Sequence, residues 1–209
     1  MTHTDSALRD ALFGLMAYRE LTTFERLSSD ARFSPRLADR AELARLAVAE
    51  FEHFEVVCAE LVAAGRDPQE AMLPFVEVID ELHERTRPGD WHESLMKAYV
   101  LDSVVADVYR ALGARIGDQA DRVAQRIQEL DAQATWLTER LRADLDNERL
   151  RSRLALWGRR LMGEALTRSR SLLATTVFGT LLSPQEEKEL FAQLVRHHAQ
   201  RMSALGLTA

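Results

Sequence analysis

The chain should fold as an all-α bundle: four main helices, then two more appended at its C-terminal end. Only five prolines and nine glycines fall in its 209 residues, too few for a loop-rich β fold. Apolar residues recur three and four positions apart through long runs, the period of a helix with one buried face. Between those runs stand helix caps, prolines and glycines at the places where helices start and stop.

The first helix is expected over about residues 5–29, with Phe13, Met16, Ala17, Phe24 and Leu27 on one stripe; Ser34-Pro35 punctuates its end. The second, over about 37–64, is striped by Leu43, Leu46, Ala47, Phe54, Val57 and Leu61 and stops before Gly65. Asp67-Pro68-Gln69-Glu70 then supplies a cap, a proline at the first helical position and an acid at the third. It opens a short helix that Pro74 disturbs and that fades near Arg87-Pro88-Gly89. The third main helix, about 90–113, has a regular stripe of Trp91, Leu95, Ala98, Asp102, Val105, Tyr109 and Leu112. The fourth, about 117–143, carries Ala120, Ala124, Ile127, Asp131, Ala134, Thr138 and Leu141. A fifth spans about 147–174, and a sixth begins at the capping box Ser183-Pro184-Gln185-Glu186 and ends near Leu205. No internal repeat or low-complexity linker divides the chain. One domain over 1–209 is expected, with a core bundle of about 5–143 and appended helices over about 147–205.

The spacing of these elements selects the topology. Short breaks separate the first helix from the second and the third from the fourth, whereas a connection of about 25 residues lies between the second and third. Two helical hairpins joined by one long crossover make the ferritin-like form of the four-helix bundle.

Hydrophobic residues at 46% and charged residues at 29% suit a soluble globular protein. The single cysteine, Cys58, excludes an internal disulfide framework and fits a reducing compartment. The first residues show no charged start followed by an apolar stretch, so no secretory signal is read. The least polar run, residues 171–182, is too short to cross a bilayer and reads as a buried helix end and turn. A cytoplasmic protein without a membrane span is expected. The net charge of −6 is uneven. Residues 1–137 hold 15 Lys/Arg against 25 Asp/Glu, and residues 138–170 hold nine Arg against five Asp/Glu. That arginine cluster reads first as a solvated helix face paired with its neighbours, and second as a surface for phosphate or an acidic partner.

Ionisable residues interrupt four of the apolar stripes. Glu20 lies three after Ala17 and four before Phe24, and Glu50 and His53 sit on the inner stripe of the second helix, with Glu52 and Glu55 on its outer face. Asp102 and Asp131 follow on the third and fourth helices. A carboxylate on a buried stripe is costly unless paired or bound to a metal. The order Glu, Glu-x-x-His, acid, acid-x-x-His is that of the carboxylate metal site of four-helix bundles, and Ala134 stands here where the last His would be. Glu50-x-x-His53 alone arises by chance in many helices; the neighbouring acids and the crossover give it weight. Carboxylates with imidazole suit iron or manganese. His83 and His92, near the ends of the crossover, and His197 and His198, on the last helix, are expected away from the bundle middle. Cys58 reads as a small buried hydrophobe, and Tyr99 and Tyr109 as packing residues that could flank a metal pocket. No phosphate loop, zinc-finger spacing or serine-hydrolase elbow is present.

From about Leu12 to Leu141 the chain resembles the ferritin-like tRNA hydroxylase (MiaE)-like family, and more closely its actinobacterial branch. The resemblance is carried by AYRELTTFERL, LARLAVAEFEHFEVVCAEL, DPQEAMLPFVEVIDELHERTRP and DWHESLMKAYVLDSVVADVYRAL. It implies two irons bound at Glu20, Glu50, His53, Asp102 and Asp131, and a non-haem di-iron monooxygenase that hydroxylates a modified adenosine in tRNA. Ala134 breaks the ligand pattern, and Asp102 and Asp131 are each one methylene shorter than Glu. The acidic first 137 residues also make a poor surface for the phosphates of tRNA. Two readings follow. One is an oxidoreductase-like metalloprotein with a single or asymmetric metal site around Glu20, Glu50 and His53. The other is an inactive ferritin-like structural or interaction module, its last two helices offering a surface for a homodimer or another partner.

Overall fold

The computed structural model describes residues 3–129 and 133–209. Nine α-helices and no strand occur among the described residues: α1 (His3–Asp30), α2 (Leu37–Ala63), α3 (Pro68–Met72), α4 (Val76–Arg85), α5 (Trp91–Ile116), α6 (Asp118–Glu129), α7 (Gln133–Arg142), α8 (Glu148–Thr175) and α9 (Pro184–Ala204). The expected helices are present, with ends within a few residues. The fourth main helix is seen as α6 and α7, and the residues between them, Asp131 included, lie outside the described ones.

Local chemistry sets the ends. The Asp67 side chain accepts from the Gln69 backbone to start α3, and Pro74 turns the chain through a 3-10 segment before α4. Asp90 caps α5 by accepting from the Glu93 N–H, Asn147 caps α8, and the Ser183/Glu186 capping box starts α9. Gly117, at φ +134°, lets α5 turn directly into α6, a backbone angle that side-chain-bearing residues rarely adopt.

Contacts along α1 give the direction of its neighbours. Asp10 bonds Arg66 just beyond α2 at 2.6 Å, and Phe24 packs on Phe51, so α1 and α2 are antiparallel. Asp30 accepts from Ser94 at 2.6 Å near the start of α5, while Arg9 reaches Gln119 just beyond its end, so α1 and α5 are antiparallel too. Helices α2 and α5 are therefore parallel, and only a connection running the length of the bundle can join them. Helices α3 and α4 are that crossover. Beneath it, α5 is buried on nearly all sides over its first half rather than on the single stripe expected, because α1, α6, α7, α8 and α9 all pack on it. One continuous core cluster results, and Phe178 is fully buried in the turn after α8.

Two contacts fasten the outer layer. At Gly14 of α1 a Cβ would lie 2.0 Å from the Ala71 carbonyl oxygen, so only glycine lets the crossover approach this closely. Gly14→Ala should destabilise the protein by about 1–3 kcal/mol, as overpacking does; an unchanged chemical-denaturation midpoint would show that the crossover yields freely. On the other side, buried Asp107 of α5 receives both Arg201 guanidinium nitrogens at 2.7 and 2.9 Å, Arg110 at 2.9 Å and lies 3.1 Å from His197 Nδ1. Burial pushes its carboxyl up, but Arg201, His197 and Arg110 outweigh burial and hold it below the ordinary Asp value. It therefore contributes stability above about pH 4, and that contribution is lost as pH falls through the lower folded value. Asp107→Asn should lower stability at pH 7 by about 1–3 kcal/mol and should flatten the loss below about pH 4. Equal acid sensitivity of the two proteins, followed by circular dichroism, would contradict this.

Candidate metal centre

Helix α1 packs against α2 on one side and α5 on another, so a wide arc of it is buried. At about 100° per residue, adjacent positions on such an arc point to different neighbours. Glu20 follows Phe13 and Ala17 and precedes Leu27 on one part of the arc, whereas Arg19 follows Leu12 and Leu15 and precedes Thr23 on the next. From α2, Glu50 and His53 point inward among Leu46, Ala47 and Val57, and from α5 come Asp102 and Tyr109. Glu20 is fully buried, and Glu50 and His53 are 3% and 2% exposed.

One ligand-capable atom from each of Glu20, Glu50 and His53 lies within 4.8 Å of the others. Two atoms on opposite sides of an ion bound at about 2.0–2.2 Å are at most about 4.4 Å apart, so side-chain shifts of a few tenths of an ångström would close the set. Neither ring nitrogen of His53 has a hydrogen-bond partner, and neither has Glu20 Oε1. His53 Nδ1 is 3.7 Å from Glu50 Oε2, beyond a hydrogen bond. A buried imidazole bonded at neither nitrogen requires a water or an ion. A void of about 20 Å³, lined by these three residues with Arg19 and Tyr109, has room for one such guest. The donor set, its unmet bonding and the void together fit one metal ion.

Asp102 also lines the void and is linked to the cluster through a cation. The Arg19 guanidinium contacts Asp102, lies 3.0 Å from Glu20 Oε2 and 3.5 Å from Glu50 Oε2, and so stands between the three carboxylates. Arg26 approaches the same Asp102 oxygen at 3.6 Å. Of the five expected site residues, Glu20, Glu50 and His53 converge, Asp102 is held by arginines, and Asp131 is outside the described residues. Ala134 falls in the first turn of α7 and offers no ligand atom.

Three acids and one guanidinium leave negative charge to be met. Burial raises the Glu20 carboxyl well above its ordinary value, with Arg19 opposing and Glu50 and Asp102 adding to the rise. Burial would raise Glu50 as well, yet Glu20, His53 and the Arg19 charge hold it below the ordinary range. The two carboxyls titrate as a pair, Glu20 driven up and Glu50 down. Arg19 stays charged because Glu20, Asp102 and Glu50 outweigh its burial. The Tyr109 phenol, pushed up by burial and by the acids beside it, remains neutral.

A second, largely apolar cavity of about 80 Å³ adjoins the void and shares Arg19, Asp102 and Tyr109 with it; Val78, Leu82 and Leu172 form part of its wall. His83 lines it too, which corrects its expected place away from the bundle middle. Helix α4 lies over the bundle, so His83 Nε2 meets Thr22 Oγ1 at 3.2 Å, and the His83 carbonyl accepts from Lys97 Nζ at 3.3 Å. Burial and the nearby Lys97 and Arg26 charges push the His83 imidazole down to about 2, and it is neutral. The other histidines stay apart from the cluster: His92 pairs with Asp144 at 3.0 Å, and His197 and His198 lie on α9. Cys58 is half-buried rather than enclosed. Tyr109 flanks the pocket, whereas the Tyr99 hydroxyl bonds the Arg201 carbonyl.

The arginine-rich segment is engaged within the chain. Arg140 pairs with Asp39 and Asp144, Arg153 with Asp90, and Arg168 with Glu81, and Arg160 donates to the Arg85 carbonyl. Most of these partners are distant in sequence rather than neighbours on the same helix.

A family model described as "Ferritin-like domain, actinomycetes" matches residues 4–184. The chain belongs to that ferritin-like domain family. A comparison with curated proteins found no match. No described helix of this ferritin-like chain is long and apolar enough to cross a membrane.

The residue that sequence reading passed over is Arg19. Its signal was present in the spacing Leu12, Leu15, Arg19, Thr23, Arg26, a second inward line beside the stripe that holds Glu20. Removing one member of a buried ionic cluster costs about 3–5 kcal/mol. Arg19→Leu should therefore destabilise the metal-free protein on that scale, and Arg19→Lys less because the charge is kept, though an ammonium reaches fewer of the acids. Urea unfolding measures both; an Arg19→Leu protein as stable as the parent would deny the guanidinium this role.

Proposed function

We propose that this ferritin-like protein is a metalloprotein holding one transition-metal ion per chain at Glu20, Glu50 and His53, with the Arg19 guanidinium in the place of a second ion. The observation that carries the reading is the convergence of these three ligands, with His53 unbonded at both nitrogens, beside a guanidinium that already spans Glu20, Glu50 and Asp102. Iron or manganese suits the donor set. When bound, iron would supply redox chemistry toward dioxygen. Arg19 pairs with Asp102 at the edge of the pocket, Tyr109 lines it, and the apolar walls of the adjoining cavity limit water.

The resemblance to tRNA hydroxylases would imply two irons and hydroxylation of an adenosine in tRNA. Arg19 and Ala134 favour the single-ion form of that site, and the acidic balance of residues 1–137 is a poor match for tRNA phosphates. A second reading, a bundle kept as a structural or interaction module, is favoured by one fact: the Arg19 guanidinium already meets Glu20, Glu50 and Asp102 without an ion.

Elemental analysis after expression with added iron or manganese decides between them. One equivalent per chain is expected, and loss of a ligand in His53→Ala or Glu50→Gln should weaken binding at least as much as second-shell losses do, about 10–100-fold. Ala134→His alone should leave the stoichiometry at one because Arg19 still holds Asp102; Arg19→Ser combined with Ala134→His should move it toward two. No metal under any loading condition would favour the structural module, and two tightly held ions in the unaltered protein would overturn the role given to Arg19.

A further inference from the structure

Helix α2 has a second apolar face, and it points outward. Of the large hydrophobic residues exposed among the described ones, Leu37, Val48, Phe51 and Val62 lie on this face, with exposures of 79%, 54%, 36% and 62%. They belong to one line, Leu37, Ala41, Ala44, Val48, Phe51, Glu55, Cys58 and Val62, that alternates steps of four and three over the whole helix. That alternation is the 3.5-residue repeat of a helix that packs along its length on another helix. Every member is exposed or half-exposed, and Phe51 alone among them has a ring contact to another described helix, Phe24 of α1. Contiguous exposed apolar surface of this kind marks an interaction site.

We infer that this face binds its counterpart on a second copy of the chain, with the two α2 helices antiparallel about a two-fold axis. The line is self-complementary in that orientation and in one register. Leu37 then meets Val62 of the partner subunit, Ala41 meets Cys58 of the partner subunit, and Val48 meets Phe51 of the partner subunit. The remaining layer sets the small Ala44 against Glu55 of the partner subunit, where space is available for a carboxylate. Charge runs the same way: Arg40 and Arg45 are exposed in the first half of the helix, Glu52 and Glu55 in the second. Antiparallel pairing brings Arg45 beside Glu52 and Glu55 of the partner subunit, whereas parallel pairing would put like charges together. Within its own chain Arg45 has only Glu42, in an exposed pair that is readily exchanged. The line from Leu37 to Val62 is about 38 Å long at 1.5 Å per residue, and the alanines let the helices approach closely. This inference does not depend on any metal.

Sedimentation velocity on the full chain tests the association, and cysteine pairing tests the register. The chain should sediment at twice its 23.7 kDa. Val48→Glu should return it to monomer with helicity unchanged, since the residue is exposed. Arg45→Glu should also dissociate it, and adding Glu52→Arg to that variant should restore the dimer. Under copper-phenanthroline oxidation Ala41→Cys should form a disulfide-linked dimer with the natural Cys58. The parent, and Ala41→Cys combined with Cys58→Ser, should not, because like positions are then 17 residues, about 25 Å, out of register. A monomeric parent at tens of micromolar, or a dimer unaffected by Val48→Glu, would overturn the interface. A dimer in which the parent crosslinks through Cys58 alone would overturn the register.

Discussion

Burying acids in the middle of a helical bundle requires positive charge in the same place, and Arg19 supplies it. Its guanidinium touches acids from three helices, Glu20 of α1, Glu50 of α2 and Asp102 of α5. An isolated buried carboxylate would either take up a proton or oppose folding, so the arrangement of these three helices depends on that one contact. Arg26 extends the device toward Asp102 and Asp30. The same chemistry narrows what else the centre can hold. A guanidinium already meets one oxygen of Asp102 and competes with any second cation there. Glu20 Oε1 and both His53 nitrogens remain unbonded, and a void is left beside them.

The topology follows from the same need for inward-facing charge at one level of the bundle. Antiparallel α1 meets α2 and α5 at positions that bring residues 20, 50 and 102 to a common height, and parallel α2 and α5 then demand the crossover. That crossover is more than a connection. Gly14 admits Ala71 against α1, and α4 lays Val78, Leu82 and His83 over the cavity beside the centre. Lys97 and His83 are both deeply buried there. Burial above all, with the Arg26 charge, lowers Lys97 to about 7, while Asp30 and Asp102 act against the shift.

Most of the fold could be read from the sequence because helices announce themselves twice, by period and by caps. Asp67, Asp90, Asn147 and Ser183 each cap where a start was expected, and the long second connection alone implied parallel α2 and α5. The three converging ligands were readable for a related reason: each sits on an apolar stripe where a charge is out of place. Arg19 was not, because a stripe assigns one buried face to a helix, and α1 is buried over an arc wide enough to aim neighbouring residues at different partners. His83 escaped for another reason. Its position near the end of the crossover says nothing about how closely α4 lies on α1, a packing result that involves Thr22 and Lys97, far away in sequence. Pairing of the arginine-rich segment with Asp39, Glu81 and Asp90 is likewise tertiary.

Helix α2 carries the two demands on opposite sides. Its inner face holds Leu43, Leu46, Ala47, Glu50, His53, Val57 and Leu61, all buried. The outer line runs between them with the same alternation of three and four, offset by one or two positions. A helix apolar on two sides has little polar surface left, which leaves it poorly suited to face only water. Val48 on the outer line and Ala47 on the inner one are adjacent in sequence yet differ from 54% to 1% exposed. Changes to the outer line therefore leave the inner ligands in place, and a one-residue shift in how α2 rotates would disturb both faces at once. The Glu50–Arg19 contact inside sets that rotation, and so also determines what α2 presents outside.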